Sequence, residues 1–455
     1  MKRSYFFIGL AIFYLIIFFA PNKPVYFGAY FVSTFFFYLS NKNLRTSFLY
    51  SLILSIFSEI GLAGSLFLME PNSLNMGSGW WISPMTLILI IMIPFSFNKQ
   101  LSRIHTADVF VLLFFIWSII NLIIYSYTNV FLGILTLTEC IIAYYLLRIY
   151  LSKTDLQIVV VLLLSILLFQ SIIGIIQWRA QRPLGITAEP VMIDRSSGFT
   201  TVEEENLFRI TGTTGHPNIL ASTLLVLSPF LFISKKNNRL NILFRILVFF
   251  ALFFTFSRVA WAIFIICFSY YFITYILKKN IGNLLESINL KATGIIITVF
   301  VLVFIILSPY LSTRFRSIPL AFEEGGSMNI RLKLYQEALS MIVQFPVFGV
   351  GINRSLETYA AYPSSNIMRF IYPSGFYRIH NTFLEIVSET GIVGLIFFMV
   401  LLFLVIKKAY IDRHLDFQKA SLIGLFSLIG IASFNPFFHF SQFRLFFLLS
   451  ALILV

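Results

Sequence analysis

The chain has 455 residues, of which 58% are hydrophobic and 11% charged, with a mean hydropathy of +0.89. Soluble domains carry about 25% charged residues, so this composition cannot furnish a water-facing surface, and the secreted small-domain, disordered and nucleic-acid-binding classes are excluded. The net charge of +14 arises from basic residues that mostly lie between apolar runs, where they orient membrane segments.

A membrane span takes roughly 20 apolar residues, with a range of about 17–25. Runs that approach this measure fall near residues 5–20, 25–39, 47–69, 80–97, 107–126, 130–149, 156–178 and 217–234, then near 242–256, 259–277, 292–310, 381–406, 420–435 and 437–455. The expected fold is therefore an all-α polytopic membrane protein of about 12–14 transmembrane helices. The first helix is read as uncleaved, because Phe19-Ala20-Pro21-Asn22 is a poor processing site and bulky Phe and Tyr fill the run before it. Cys140 and Cys267 both lie inside apolar runs, which argues against a disulfide framework and against a cysteine metal site.

Lys and Arg set the orientation. With the N-terminus in the cytoplasm, segments 2–3, 41–45, 98–108, 148–155, 235–239, 278–291 and 407–419 are cytoplasmic and hold 18 of the 33 basic residues. The short outer connections hold only Lys23 and Arg258. Both termini are thus expected inside. The chain divides into N-terminal transmembrane helices (1–178), a first long extracytoplasmic loop (179–216), central helices (217–310), a second long loop (311–380) and C-terminal helices (381–455). Loops of that length in a compact protein usually bear function, so any chemistry is expected on the outer face.

The first loop ends in Arg209-Ile210-Thr211-Gly212-Thr213-Thr214-Gly215-His216-Pro217-Asn218, where glycines, a histidine and an asparagine at a helix start could form an anion-receptive backbone nest. Arg258 sits at an outer turn between two apolar runs and needs a partner such as a carboxylate or a phosphate. In the second loop, residues 327–342 read as a short surface helix with an apolar stripe at 330, 334, 338, 341 and 342. Asn329 or Ser327 could cap it, and Arg331 and Tyr335 share a face. Phe345-Pro346-Val347-Phe348-Gly349-Val350-Gly351 then turns the chain. The loop re-enters the membrane at Arg378-Ile379-His380-Asn381, with Asn381 a plausible helix cap, Glu385 and Glu389 following at helical spacing, and Gly391 and Gly394 permitting close packing.

Each feature alone has a plainer reading. Arg258 can be an interfacial arginine that reaches for headgroups, and Arg331 can do the same from a surface helix. His380 can merely satisfy a backbone carbonyl, His216 can cap its own loop, and Glu385 and Glu389 can pair with Arg378 or Arg369. Together, one histidine and several arginines on the outer face of an apolar protein equip it for a substrate with an anionic head and a lipid tail. An imidazole there can take a proton from an incoming hydroxyl.

The order of these pieces over residues 205–400 resembles the O-antigen ligase and O-antigen polymerase superfamily of bacterial envelopes. The resemblance rests on Ser257-Arg258, on Arg331 with Tyr335 and Ala338, on Pro346-x-x-Gly349-x-Gly351, and on His380-Asn381 with Glu385, Glu389, Gly391 and Gly394. Arg209-x-x-Gly212 and His216-Pro217-Asn218-Ile219-Leu220-Ala221 resemble its upstream segment. Where that family often has Trp four residues after the arginine, this chain has Tyr335.

The resemblance implies a metal-independent, inverting glycosyltransferase without cofactors in the bacterial cytoplasmic (inner) membrane. Its donor would be a glycan on undecaprenyl diphosphate, with His380 as base and Arg258 and Arg331 binding the diphosphate. Arg209, His216, Asn218, Tyr335, Arg378, Asn381 and Glu385 are further candidates for substrate binding. Its partners would be an acceptor glycan or glycolipid, membrane lipid and a chain-length regulator, with no nucleic acid. A polymerase is favoured, because the outer loops are long and rich in Tyr and Arg. A ligase acting on a lipid A core is the alternative. A lipid-linked glycan transporter is the reading from another class, but it should carry ionisable residues at mid-membrane depth. Here only Glu59, Glu139, Arg245 and Arg444 do so, most of them near the ends of runs.

Overall fold

The computed structural model describes residues 3–56, 66–69, 80–96, 104–125, 128–189, 208–233, 239–278, 308–310, 312–313, 315–324, 326–359, 378–439 and 441–455. The span expected at 292–310 lies outside them except for its last three residues, as do Glu59 and Arg369. The protein is an all-α polytopic membrane protein whose helices follow the apolar runs closely. They are α1 (Arg3–Phe19), α2 (Lys23–Asn41), α3 (Leu44–Ser55), α4 (Pro84–Ser96), α5 (Thr106–Tyr125), α6 (Thr128–Tyr150), α7 (Leu156–Ala180) and α8 (Pro217–Leu227). After these come α9 (Arg239–Phe254), α10 (Arg258–Lys278), α11 (Ser327–Gln344), α12 (Ser355–Tyr359), α13 (Thr382–Ile411), α14 (Asp416–Ala432) and α15 (Ser441–Leu454). Among the described residues four helices are long and apolar enough to cross a bilayer: Thr106–Tyr125, Val130–Tyr150, Leu156–Ala180 and Thr382–Ile411. Shorter apolar helices include Pro84–Phe95, Pro217–Phe232 and Gln442–Leu454.

One expected span is not a single helix. The run at 47–69 gives α3, which ends at Ser55, and a strand β1 (Leu66–Met69) that pairs antiparallel with β2 (Trp80–Ile82). Glu59, Gly61 and Gly64 interrupt that run with residues that suit an apolar helix badly. Trp80, Trp81 and Ile82 favour a pleated strand.

Two ion pairs lie inside the helix packing. Asp108 on α5 meets Arg148 on α6 at 3.2 Å, both nearly inaccessible, and the Tyr144 hydroxyl donates to the same carboxylate at 2.6 Å. Glu139 on α6 meets Arg444 on α15 at 2.5 Å and accepts from the Thr86 hydroxyl on α4. Glu139 is thus near the middle of its helix rather than near an end, and it holds α4, α6 and α15 together.

The element that matters most for the site is α13. It is helical on both sides of Gly391, which has φ 70° and ψ −178°. That break releases backbone groups at 388–392 from the helix ladder. The turn expected after α11 satisfies them. Val350 N–H donates to Ser388 O at 2.8 Å, Gly351 N–H to Glu389 O at 3.1 Å, and Ile392 N–H to Pro346 O at 2.8 Å. From the other side α5 holds the same turn with residues four and eight apart. Trp117 stacks on Phe348 at 4.9 Å and donates to Thr390 O at 2.8 Å. Asn121 donates to Phe348 O at 2.7 Å and accepts from Ile352 N–H at 3.0 Å, and the Tyr125 hydroxyl donates to Gly349 O.

α11 matches the expected surface helix, and its Leu334, Ala338 and Met341 pack on Val350, Leu356 and Ile379 in a small core of their own. Its N-cap is Gly326, without a side-chain cap bond, so neither Asn329 nor Ser327 has the expected role. Both lie inside the helix, one and three residues past the cap position.

Candidate active site

His380 precedes α13 by two residues. Asn381 caps the helix, its side-chain oxygen accepting from Phe383 N–H at 3.0 Å and Leu384 N–H at 3.1 Å. This is the cap foreseen from the sequence, and it turns the preceding residue out of helical geometry. The His380 Nδ1 lies 2.8 Å from Arg378 O. A carbonyl only accepts, so Nδ1 carries the proton and Nε2 carries the lone pair. The Tyr335 hydroxyl on α11 donates to His380 O at 2.9 Å, so the aromatic four residues after Arg331 positions the histidine backbone. Burial, and then the charge of Arg331, push the His380 imidazole down to about 4. It is neutral at ordinary pH and can accept a proton at Nε2.

The second imidazole has the opposite tautomer. His216 is the N-cap of α8, and its Nδ1 accepts from Asn218 N–H at 3.1 Å. Its proton therefore resides on Nε2. Burial first, then Arg209, His380 and Arg331, push His216 down to about 3. Arg209, His216, Arg331 and His380, drawn from three separate stretches of chain, thus share one electropositive neighbourhood.

Arg209 is anchored by Nε to Thr255 O at 2.9 Å and by Nη2 to the Asn218 side-chain oxygen at 3.1 Å. Asn218 passes the link on to Asn435, whose side-chain oxygen accepts at 3.0 Å. Thr382, the first residue of α13, donates to Asn435 O at 2.7 Å and accepts from Phe437 N–H at 2.9 Å. Asn435 belongs to the α14–α15 connection, which nothing in the local sequence marked as part of the site.

Arg258 is the first residue of α10, just after Phe256 in a left-handed turn with φ 49°. Its guanidinium donates to the Ser317 hydroxyl. It is not among the groups that shift either imidazole.

The segment 211–214 does not form the expected anion nest. Two glutamines on α7, seven residues apart, take its amides. Gln177 accepts from Thr211 N–H at 3.1 Å and Gly212 N–H at 2.9 Å, and Gln170 accepts from Thr213 N–H at 3.0 Å. Gln177 also donates to Gly212 O at 2.8 Å and to Glu189 at 2.6 Å. Amides spent on side chains are not available to an anion. The signal was present as two polar residues at one-face spacing in an otherwise apolar span.

Beside the histidines lies a buried charge network. Glu385 pairs with Arg378 at 3.4 Å, one of the two pairings foreseen, and Arg378 also donates to the Asn353 side-chain oxygen at 2.7 Å. Glu389 instead pairs with His439 at 2.7 Å and accepts from Asn353 N–H at 2.7 Å and the Ser355 hydroxyl at 2.6 Å. The ligand atoms of Glu385, Glu389 and His439 lie within 4.8 Å of one another, the group among the described residues with spacing suited to a cation. Three donors already converge on Glu389 and a guanidinium faces Glu385. These contacts tie α12, α13 and the α14–α15 connection together, while the second Glu385 oxygen is buried without a hydrogen-bond partner among the described residues.

Residues 243–399 match a family model described as O-antigen ligase. The match contains Arg258, Arg331, Tyr335, Arg378, His380, Asn381, Glu385 and Glu389; it leaves out Arg209, His216 and Asn218. The chain matches no curated protein. Over that segment, about a third of its length, the chain is similar to the O-antigen ligase family, and the segment includes the first part of one of the four helices long and apolar enough to cross a membrane.

Proposed function

We propose that the protein is a polysaccharide polymerase that transfers a growing glycan from undecaprenyl diphosphate to the hydroxyl of another lipid-linked repeat, at the outer face of the membrane. The observation that carries this reading is the pairing of a neutral imidazole base with surrounding cations. His380 has its lone pair on Nε2 and is kept unprotonated by burial and by Arg331. The arginines lie where helices begin: Arg258 opens α10 and Arg331 is in the second turn of α11. At the start of α10 the Arg258 charge is unfavourable by itself, and a bound diphosphate turns that repulsion into attraction.

The acceptor hydroxyl gives its proton to His380 Nε2 while its oxygen attacks the anomeric carbon. The bond from that carbon to the phosphate oxygen breaks on the opposite side, which inverts the configuration. The leaving undecaprenyl diphosphate keeps the bond's electron pair, and Arg258 and Arg331 stabilise the charge that grows on it. Guanidinium groups supply the positive charge, so the reading is metal-independent.

The test is purified protein in lipid nanodiscs with lipid-linked repeat units and a chelator. Longer lipid-linked chains are expected. Transfer only to a foreign acceptor would make the protein a ligase, and no transfer to either would overturn the reading.

A further inference from the structure

His216 and His380 are complementary in a way that neither shows alone. Backbone contacts fix both tautomers: Asn218 N–H can only donate, so His216 presents N–H at Nε2, whereas Arg378 O can only accept, so His380 presents a lone pair at Nε2. Both rings precede helix starts that Asn218, Asn435 and Thr382 stitch together. A sugar hydroxyl has one hydrogen to give and lone pairs to share. Groups that need both a donor and an acceptor are recognised best by a site that offers both, because a partner lacking either leaves a buried group unpaired.

We propose that His216 is a second acceptor-binding residue: its Nε2–H holds the oxygen of the incoming sugar hydroxyl while His380 Nε2 receives that hydroxyl's proton. This rests on the transferase reading above and adds to it a named contact on the acceptor side. His216 orients a lone pair of the attacking oxygen, and in this role it neither gains nor loses a proton during the reaction.

The helix cap could account for His216 without any such contact, and the variants are chosen to separate the two. In His216→Asn the side-chain oxygen replaces Nδ1 as cap acceptor, since Asn is among the best N-cap residues, but nothing replaces the Nε2–H. In His216→Gln the amide can reach toward the Nε2 position and donate. Initial rates would be measured with purified full-length protein in nanodiscs, varying a lipid-linked repeat unit as acceptor and a lipid-linked glycan as donor, together with thermal stability.

The proposal expects His216→Asn to fold like the native chain and to lose about ten- to a hundredfold in kcat/KM for the acceptor. The donor KM and the acid limb of the pH profile should not move, and His216→Gln should recover part of the loss. A His216→Asn variant with native acceptor kinetics would overturn the inference while leaving the transferase reading intact. So would a loss that falls on the donor KM. Absence of transfer by the native protein would remove both together.

Discussion

A Cβ added at Gly349 would fall 2.6 Å from the backbone nitrogen of Gly391, and the two glycines have almost the same left-handed φ, +69° and +70°. A Cβ at Gly391 would in turn strike the Val347 carbonyl. Any side chain at either place meets both a steric obstacle and backbone strain of about 1–2 kcal/mol. Gly349→Ala and Gly391→Ala are each expected to cost at least about 2 kcal/mol. Thermal unfolding in detergent checks this, with Gly28→Ala, which has open space around it, as the silent comparison.

His380 and His216 predict a pH dependence with a definite sign. Their folded values, about 4 and about 3, lie below the ordinary 6.5. Between those limits the unfolded chain binds protons that the folded chain refuses, so stability is fully present above about pH 6.5 and declines as the pH falls through that window. Melting temperature measured from pH 7.5 to 4 should fall, and His216→Asn with His380→Asn should fall less steeply. Transfer activity should have its acid limb near pH 4 rather than near 6.5.

Arg331 depresses both imidazoles. Removing its charge in Arg331→Gln should therefore move the acid limb of activity upward, toward 6.5, besides lowering the rate by about a hundredfold or more as a transition-state contact is lost. Arg258 shifts neither imidazole, so Arg258→Gln should lower the rate without moving that limb. A pH–rate profile of each variant separates the two.

Asn121 lies far outside the residues that match the O-antigen ligase family, yet it satisfies both Phe348 O and Ile352 N–H. Asn121→Ala leaves two buried backbone groups unpaired and should cost about 1–3 kcal/mol. Activity should fall with it, because the turn it holds is bonded to the helix that begins just after His380. Asn121→Asp, which retains one acceptor, should be intermediate when both stability and transfer are assayed.

The Glu139–Arg444 pair bears on the transport reading. If the pair is an architectural tie, Arg444→Leu alone should destabilise by about 3–5 kcal/mol through the stranded carboxylate, and Glu139→Leu combined with Arg444→Leu should recover most of it. Loss of glycan transfer in a stable double variant would show instead that the charges serve function.

Much of this arrangement was legible in the residues. Helix bounds followed the apolar runs within a few positions, α11 showed its buried stripe, and Asn381 capped the helix it was expected to cap. The features that escaped notice share a physical cause: they are contacts between polar groups far apart in sequence. Gln170 and Gln177 meet residues 211–213, Asn121 meets 348 and 352, and Glu389 meets His439 fifty residues away. Periodicity reports which face of a helix is apolar; it says nothing about which distant amide a lone Gln or Asn will find. The strand pair at 66–82 was missed for a related reason, since an aromatic, aliphatic run suits either a helix or a strand.

The two α7 glutamines also decide what kind of change the stretch from Arg209 to Pro217 can absorb. Most of their bonds go to successive backbone groups, with Gln170 also donating to the Thr213 hydroxyl at 2.6 Å, so a substitution at Thr211 or Thr213 leaves most of those bonds possible. An inserted or deleted residue would shift the register, leaving buried amides unmatched and displacing His216 from the start of α8. In this stretch spelling is negotiable and length is not.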